Sequence, residues 1–202
     1  MKRAALGFRM HSGWGVLVSV TGDADREEVI DRRRIAISDP AKPGANQPYH
    51  YAAALEFPAA ERHLANCQAA SERLALTAIK HVVQELEASD YRIAGAAVLL
   101  ASGRPLPSLA KILASHPLIH TAEGEFFRNS ITMACEQLQI PVEAIREREL
   151  EKRVKTAFGN AASRLQRRIA NARRSIGPPW TSDHKAAALA ALLVLSPASE
   201  RY

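Results

Sequence analysis

The stretch Ile93–Ala101 reads IAGAAVLLA, a run with no charge and no hydrogen-bonding side chain. It is too short to cross a bilayer, which takes about 20 apolar residues, and too uniformly apolar for a strand with one face in water. It fits a strand covered on both faces, which occurs where helices flank a mainly parallel sheet. The remaining chain must then supply neighbouring strands and two helical layers. The 202 residues suffice for one α/β domain with a sizeable core, so residues 1–202 are expected to form a single domain.

The flanking segments agree. Residues 4–8 and 14–20 predict two strands joined through the tight turn inside GFRMHSGWG, and Glu28–Ile37 predicts a third, with Val29, Ile35 and Ile37 alternating around Arg32-Arg33-Arg34. Residues 38–60, rich in Pro, Gly, Asn and Ala, predict a long surface loop. From Ala60 to Ala88 the period changes: Leu64, Cys67, Leu74, Ile79, Val82 and Leu86 share one helical face. Beyond the apolar strand, the pattern predicts helices over Leu106–Ala114 and Glu123–Leu138, a short strand over Pro141–Ile145 and a long helix over Glu149–Ser175. Gly177-Pro178-Pro179 then breaks the chain before a last helix, Ser182–Leu195, with Ser182 or Asp183 as its N-cap.

Composition narrows the class. At 47% hydrophobic and 24% charged residues, the chain is not disordered. Cys67 and Cys135 fall inside helical patterns, as buried thiols do, and Arg9 and His11 interrupt any signal-peptide core. An intracellular, cytoplasmic protein without a membrane segment is expected. The net charge of +6 is local: between Ile145 and Lys185 eleven Lys/Arg face four acids, while the rest of the chain carries sixteen basic and seventeen acidic residues. A local excess suits a phosphate-rich partner, and equally a solvated face. No glycine loop of the phosphate-cradling or dinucleotide kind occurs, which disfavours nucleotide-driven motors and dehydrogenases. No Cys-His nucleophile is supported.

Three motifs carry a family resemblance. ALGFRMHSGWGVLV resembles the opening strand, turn and second strand of the RuvC-type Holliday-junction resolvases, which belong to the ribonuclease H-like fold. QIPVEAIRERELEKRVKTAFG is similar to their fifth strand and following helix, and SDHKAAALAALLVL to their closing helix. The resemblance implies a mixed five-stranded sheet, three antiparallel strands followed by parallel ones, flanked by helices. It also implies phosphodiester chemistry by two divalent metals held by about four carboxylates, and a homodimer. Aligned so, the first-strand acid falls on Arg9, the fourth-strand acid near Leu99 or Leu100, and the last helix keeps Asp183 but has Ala186 at the later acid. One carboxylate does not hold two Mg²⁺ ions, and a guanidinium at a ligand position repels them. The standard nuclease centre is therefore not expected, nor any resident cofactor or metal.

What stands there instead suits an anion. Arg9 and Ser12 would lie at the first turn, Ser102 and Arg104 beyond the fourth strand, and His184 at the start of the closing helix. Arg128 on the middle helix and Arg164, Arg167, Arg168 and Arg174 on the basic helix would extend a nucleic-acid or phosphate surface, with Val154, Phe158, Ala161, Leu165, Ile169, Ala172 and Ile176 as that helix's buried stripe. The alternative is a phosphodiesterase or nuclease with a rebuilt His/Glu acid–base or single-metal centre, using His11, His120, Glu123, Glu125 and Asp183, with Mg or Mn only in that case. His120 with Glu123, and Glu125 with Arg128, would share helix faces at i,i+3. His50, His63 and His81 read as incidental, and Trp14 and Trp180 as packing anchors. A module that binds partners through 38–60 is a third class, and Arg9 paired with Asp183 is the plain structural reading of the first strand.

Overall fold

The computed structural model describes residues 1–101 and 105–196. Five strands form one sheet in the order β3-β2-β1-β4-β5. β1 (Lys2–Met10), β2 (Trp14–Thr21) and β3 (Glu28–Ala36) run antiparallel in sequence. β4 (Tyr91–Leu100) joins β1 in parallel, with Phe8 opposite Val98, and β5 (Val142–Arg146) joins β4, with Leu99 opposite Ile145. This is the mixed five-stranded sheet, three antiparallel strands followed by parallel ones, that the resemblance implies.

The two-sided strand is as its composition demands. On one face Leu6, Phe8, Leu17, Ala96 and Val98 pack with Ile79, Phe127 and Ile131 of α2 (Phe57–Ala88) and α4 (His116–Gln137). On the other, Ala5, Val16, Val18, Ala97 and Leu99 meet α8 (Ser182–Leu195) and the basic segment. The alanines of α8 let it lie against the sheet backbone: a Cβ built on Gly7 would run into the carbonyl of Ala187. Each face thus removes large apolar area from water, the main favourable term in such a fold. Cys67 and Cys135 are free and buried, and burial pushes the Cys135 thiol up to about 12.

Five local expectations change. Residues 38–60 are not loop throughout: α1 (Pro48–Ala52) forms within them, with Pro48 and Ala52 buried. α4 begins at His116, because Pro117 suits a first turn, so Glu123 is not a first-turn acid but lies two turns inside. Ahead of α4 stands only the short α3 (Leu109–Leu113). The basic helix is three pieces, α5 (Leu150–Phe158), α6 (Ala162–Asn171) and α7 (Arg173–Ile176), broken first where Gly159 takes φ +51°. That break shifts the buried stripe from Ala161 to Ala162, while Val154, Leu165 and Ile169 hold their places. The N-cap of α8 is Thr181, not Ser182 or Asp183. No helix among the described residues is long and apolar enough to cross a membrane.

Candidate functional site

The turn between β1 and β2 closes through the His11 N–H, which donates to the Trp14 carbonyl at 2.7 Å. It delivers Arg9 and His11 to the carboxyl end of the parallel strands. There the Arg9 Nε lies 2.9 Å from Glu147 Oε1 and 3.9 Å from Asp183 Oδ1, and its Nη1 donates to its neighbour's carbonyl, Met10 O, at 2.9 Å. Glu147 opens the 3₁₀ turn that follows β5, and Asp183 sits in the first turn of α8, where the helix dipole favours an acid. Asp183 Oδ2 also holds His11 Nε2 at 2.9 Å. The His11 ring stacks on Trp14 with centroids 4.4 Å apart, and the Arg34 guanidinium stands 4.4 Å from the Trp14 centroid. Trp14 is thus a packing anchor for two cationic or titratable groups.

A second guanidinium enters from α4. Arg128 is buried, its Nε donating to the Leu99 carbonyl at the end of β4 (3.0 Å), and its Nη1 lies 3.6 Å from Glu125 Oε1. Gly124 makes room for it, since a Cβ there would stand 2.7 Å from Arg128 Nη1. Burial holds the Arg128 guanidinium below its ordinary range; Glu125 opposes that, Arg9 adds like-charge repulsion, and Glu147 offsets it. Arg9, Arg128, Glu147, Glu125 and Asp183 therefore form one charge network at the strand ends. In it two cations face three carboxylates, and His11 completes the ring of polar groups.

Of the residues singled out by sequence, Arg9, His11, Asp183, Glu125 and Arg128 come together here. Ser12 is exposed in the turn. Ser102 and Arg104 lie outside the described residues. His184 is not open to a large ligand: it is 6% exposed, and its Nδ1 accepts from the Thr181 hydroxyl at 2.8 Å and the Thr181 N–H at 3.3 Å, capping α8. Burial, reinforced by Arg32 and opposed by Asp183, holds its pKa below the usual histidine value. Nor is Arg128 accessible to a large ligand, being occupied by Leu99 and Glu125.

His120 and Glu123 do not pair. Glu123, 2% exposed, instead accepts from His50, at 2.8 Å from Nδ1 and 3.1 Å from the backbone N–H. His50, read from sequence as incidental, is the residue missed there; a histidine after Pro48-Tyr49 in a supposed loop gives no signal of a partner 73 residues away. Glu147 was missed for the same reason, hidden among the alternating charges of RERE.

The basic segment divides. Arg164 reaches Asp25 at 3.4 Å, and Arg168 forms a forked contact with Glu27 at 2.6 Å on each arm, so the turn before β3 neutralises both. Arg153 pairs with Glu143. Arg167, Arg173 and Arg174 are exposed, with no ion pair among the described residues. Arg167 lines a groove of about 730 Å³ between α6, α7 and the start of β3. Trp180 is buried, its indole N–H donating to the Ile169 carbonyl at 2.7 Å.

No family model matches the chain, and no curated protein matches it. Among solved structures it is similar to RuvC of Thermus thermophilus, with a TM-score of 0.49 and 11% identity over 94% of this chain and 91% of that one. It is also similar to T. thermophilus RuvC in complex with a Holliday junction substrate, with a TM-score of 0.49 and 13% identity over 95% and 91% of the two chains.

Proposed function

We propose that this protein binds nucleic acid through its phosphates, without a two-metal centre at the end of its sheet. The observation that carries the reading is the partition of the guanidiniums. At the strand ends Arg9 and Arg128 are occupied by carboxylates, so the acids that remain there already have protein cations beside them. On α6 and α7, Arg167, Arg173 and Arg174 stay exposed and unpaired. Unpaired surface arginines gain most from phosphate, since no internal ion pair must be broken first and the fork geometry fits two oxygens. Contacts of this kind position a backbone and carry no sequence information, so a shape-directed, sequence-tolerant binder is expected.

Fluorescence anisotropy with a labelled four-way DNA junction and a duplex of matched length, over a series of salt concentrations, tests this. Each phosphate contact contributes about 0.9 to the slope of log affinity against log salt, so Arg167→Ala/Arg173→Ala/Arg174→Ala should flatten the slope by about 2–3. A slope indifferent to salt in the parent protein rejects the proposal. The hydrolase alternative keeps one specific support, the His11–Asp183 pair at 2.9 Å, both groups partly open to solvent. It requires junction or phosphodiester hydrolysis that falls at least a hundredfold in His11→Ala, within the usual reach of a general acid–base group.

A further inference from the structure

Another set of ligating groups lies outside the strand-end network, where α1 meets the first two turns of α4. His50 of α1 meets His116 and His120, which stand one turn apart on α4. The ring centroids are 5.3 Å apart for His50–His116, 4.7 Å for His50–His120 and 4.5 Å for His116–His120. One nitrogen from each ring falls within 4.8 Å of the other two. His116 and His120 are exposed and have no hydrogen-bond or carboxylate partner among the described residues. Three imidazoles gathered edge to face, two of them unpartnered, gain little from one another in water.

The third is held in a way that points to a ligand. Glu123 is buried and, as a carboxylate, can only accept; its bond to His50 therefore fixes the proton on Nδ1 and leaves the Nε2 lone pair free. A carboxylate behind an imidazole is the arrangement that orients metal-binding histidines and raises their basicity. The backbone N–H of His50 donates to the same oxygen, so the ring is fixed at two points. Nitrogen donors at about 2.0–2.1 Å from a tetrahedral ion stand about 3.3 Å from each other. The present nitrogens, within 4.8 Å of one another, would close by up to about 1.5 Å to reach it, and His116 and His120, the two to be drawn in, are exposed while His50 is tied to Glu123.

We infer that His50, His116 and His120 form a three-imidazole site for a late first-row divalent ion, Zn²⁺ foremost, with Glu123 as the positioning residue for His50. Neutral nitrogen donors suit Zn²⁺, Co²⁺, Ni²⁺ and Cu²⁺ and serve Mg²⁺ poorly, because Mg²⁺ prefers oxygen and its own waters. With three protein ligands and two rings facing solvent, the fourth position is left to water or an incoming oxygen ligand, the coordination of an open rather than a closed site. The single-metal alternative drawn from sequence uses His120 with Glu123 and Glu125 and leaves out His50, whose place beside α4 only the fold reveals.

The test uses the metal-stripped full chain, titrated with Zn²⁺ by calorimetry and with Co²⁺ by visible absorption. The proposal expects one Zn²⁺ per chain, ligand-field bands of tetrahedral intensity with Co²⁺, and no competition from excess Mg²⁺. His116→Ala and His120→Ala, both exposed and so expected to fold, should each weaken Zn²⁺ binding at least a hundredfold. Glu123→Gln should weaken it about 10–100-fold while the cobalt spectrum keeps its tetrahedral form. Parent-like Zn²⁺ affinity in both histidine variants, or octahedral cobalt bands in the parent, overturns the site. Parent-like affinity in a folded Glu123→Gln overturns the positioning role, and if that variant does not fold, the two histidine variants decide.

Discussion

Replacing Arg9 with alanine removes the cation nearest to two of the three carboxylates at the strand ends. At 2.9 Å the Arg9–Glu147 attraction is about 1.4 kcal/mol at the dielectric of water and about 6 kcal/mol at an effective value of about 20. The side chains are 22% and 36% exposed, so solvent screens the pair and the lower half of that interval applies. Asp183, at 3.9 Å and also bonded to His11, adds a smaller share. A net loss of about 1–3 kcal/mol is expected, a drop in Tm of about 2–10 °C for a chain of this length. The same deletion should open the carboxylates to an external cation. Scanning fluorimetry of parent and Arg9→Ala, each with and without millimolar Mn²⁺, reads both effects: Mn²⁺ should restore part of the lost Tm in the variant and leave the parent nearly unchanged. Equal stability of the two proteins, or an identical Mn²⁺ response, would refute the role of the guanidinium as the resident cation.

The other expectations concern the elements that hold this edge. His184 caps α8 only with Nδ1 unprotonated, and its folded pKa lies below the unfolded value of 6.5, so the unfolded chain binds more protons; stability is full above that value and falls as pH drops through it. Urea midpoints between pH 7.5 and 5 should show this slope, and His184→Gln, which keeps a capping acceptor, should reduce it; His63, pushed the same way by burial and by Lys42, leaves a residual slope. Gly7→Ala forces a methyl group against the Ala187 carbonyl and should cost at least about 1–3 kcal/mol in chemical denaturation; an unchanged midpoint would mean that α8 does not lie on β1 as described. Arg128→Met leaves the Leu99 carbonyl without its side-chain donor and Glu125 without its partner, an expected loss of about 1–3 kcal/mol in the same assay.

The sheet was legible because its residues allow little else. A charge-free run such as Ile93–Ala101 has one stable place in a soluble α/β protein, and alternation around Arg32-Arg33-Arg34 has one on an outer antiparallel strand. Helix limits were less legible, for local reasons. Glycine is a poor helix former, yet Gly124 lies inside α4, where it leaves a gap filled by Arg128; Gly159 falls inside the apolar stripe, yet it ends α5. The first-strand half of the site could be anticipated, since Arg9, His11 and Asp183 flank predicted turns. Its other half could not, because the carboxylate that meets Arg9 is Glu147, brought there only by the parallel pairing of β4 with β5. The His50–Glu123 bond likewise depends on α1, a helix of five residues whose Pro-Tyr-His-Tyr sequence carries no periodic signal.

The central claim, that the carboxylates at the strand ends are served by the protein's own arginines while others grip phosphate, meets its most direct test in a single-turnover assay. Labelled four-way junction is incubated with excess protein and either Mg²⁺ or Mn²⁺, and bound and cut strands are counted on native and denaturing gels. The account predicts a retarded complex whose strands remain whole. Strand cleavage that disappears in Asp183→Asn or Glu147→Gln would contradict it.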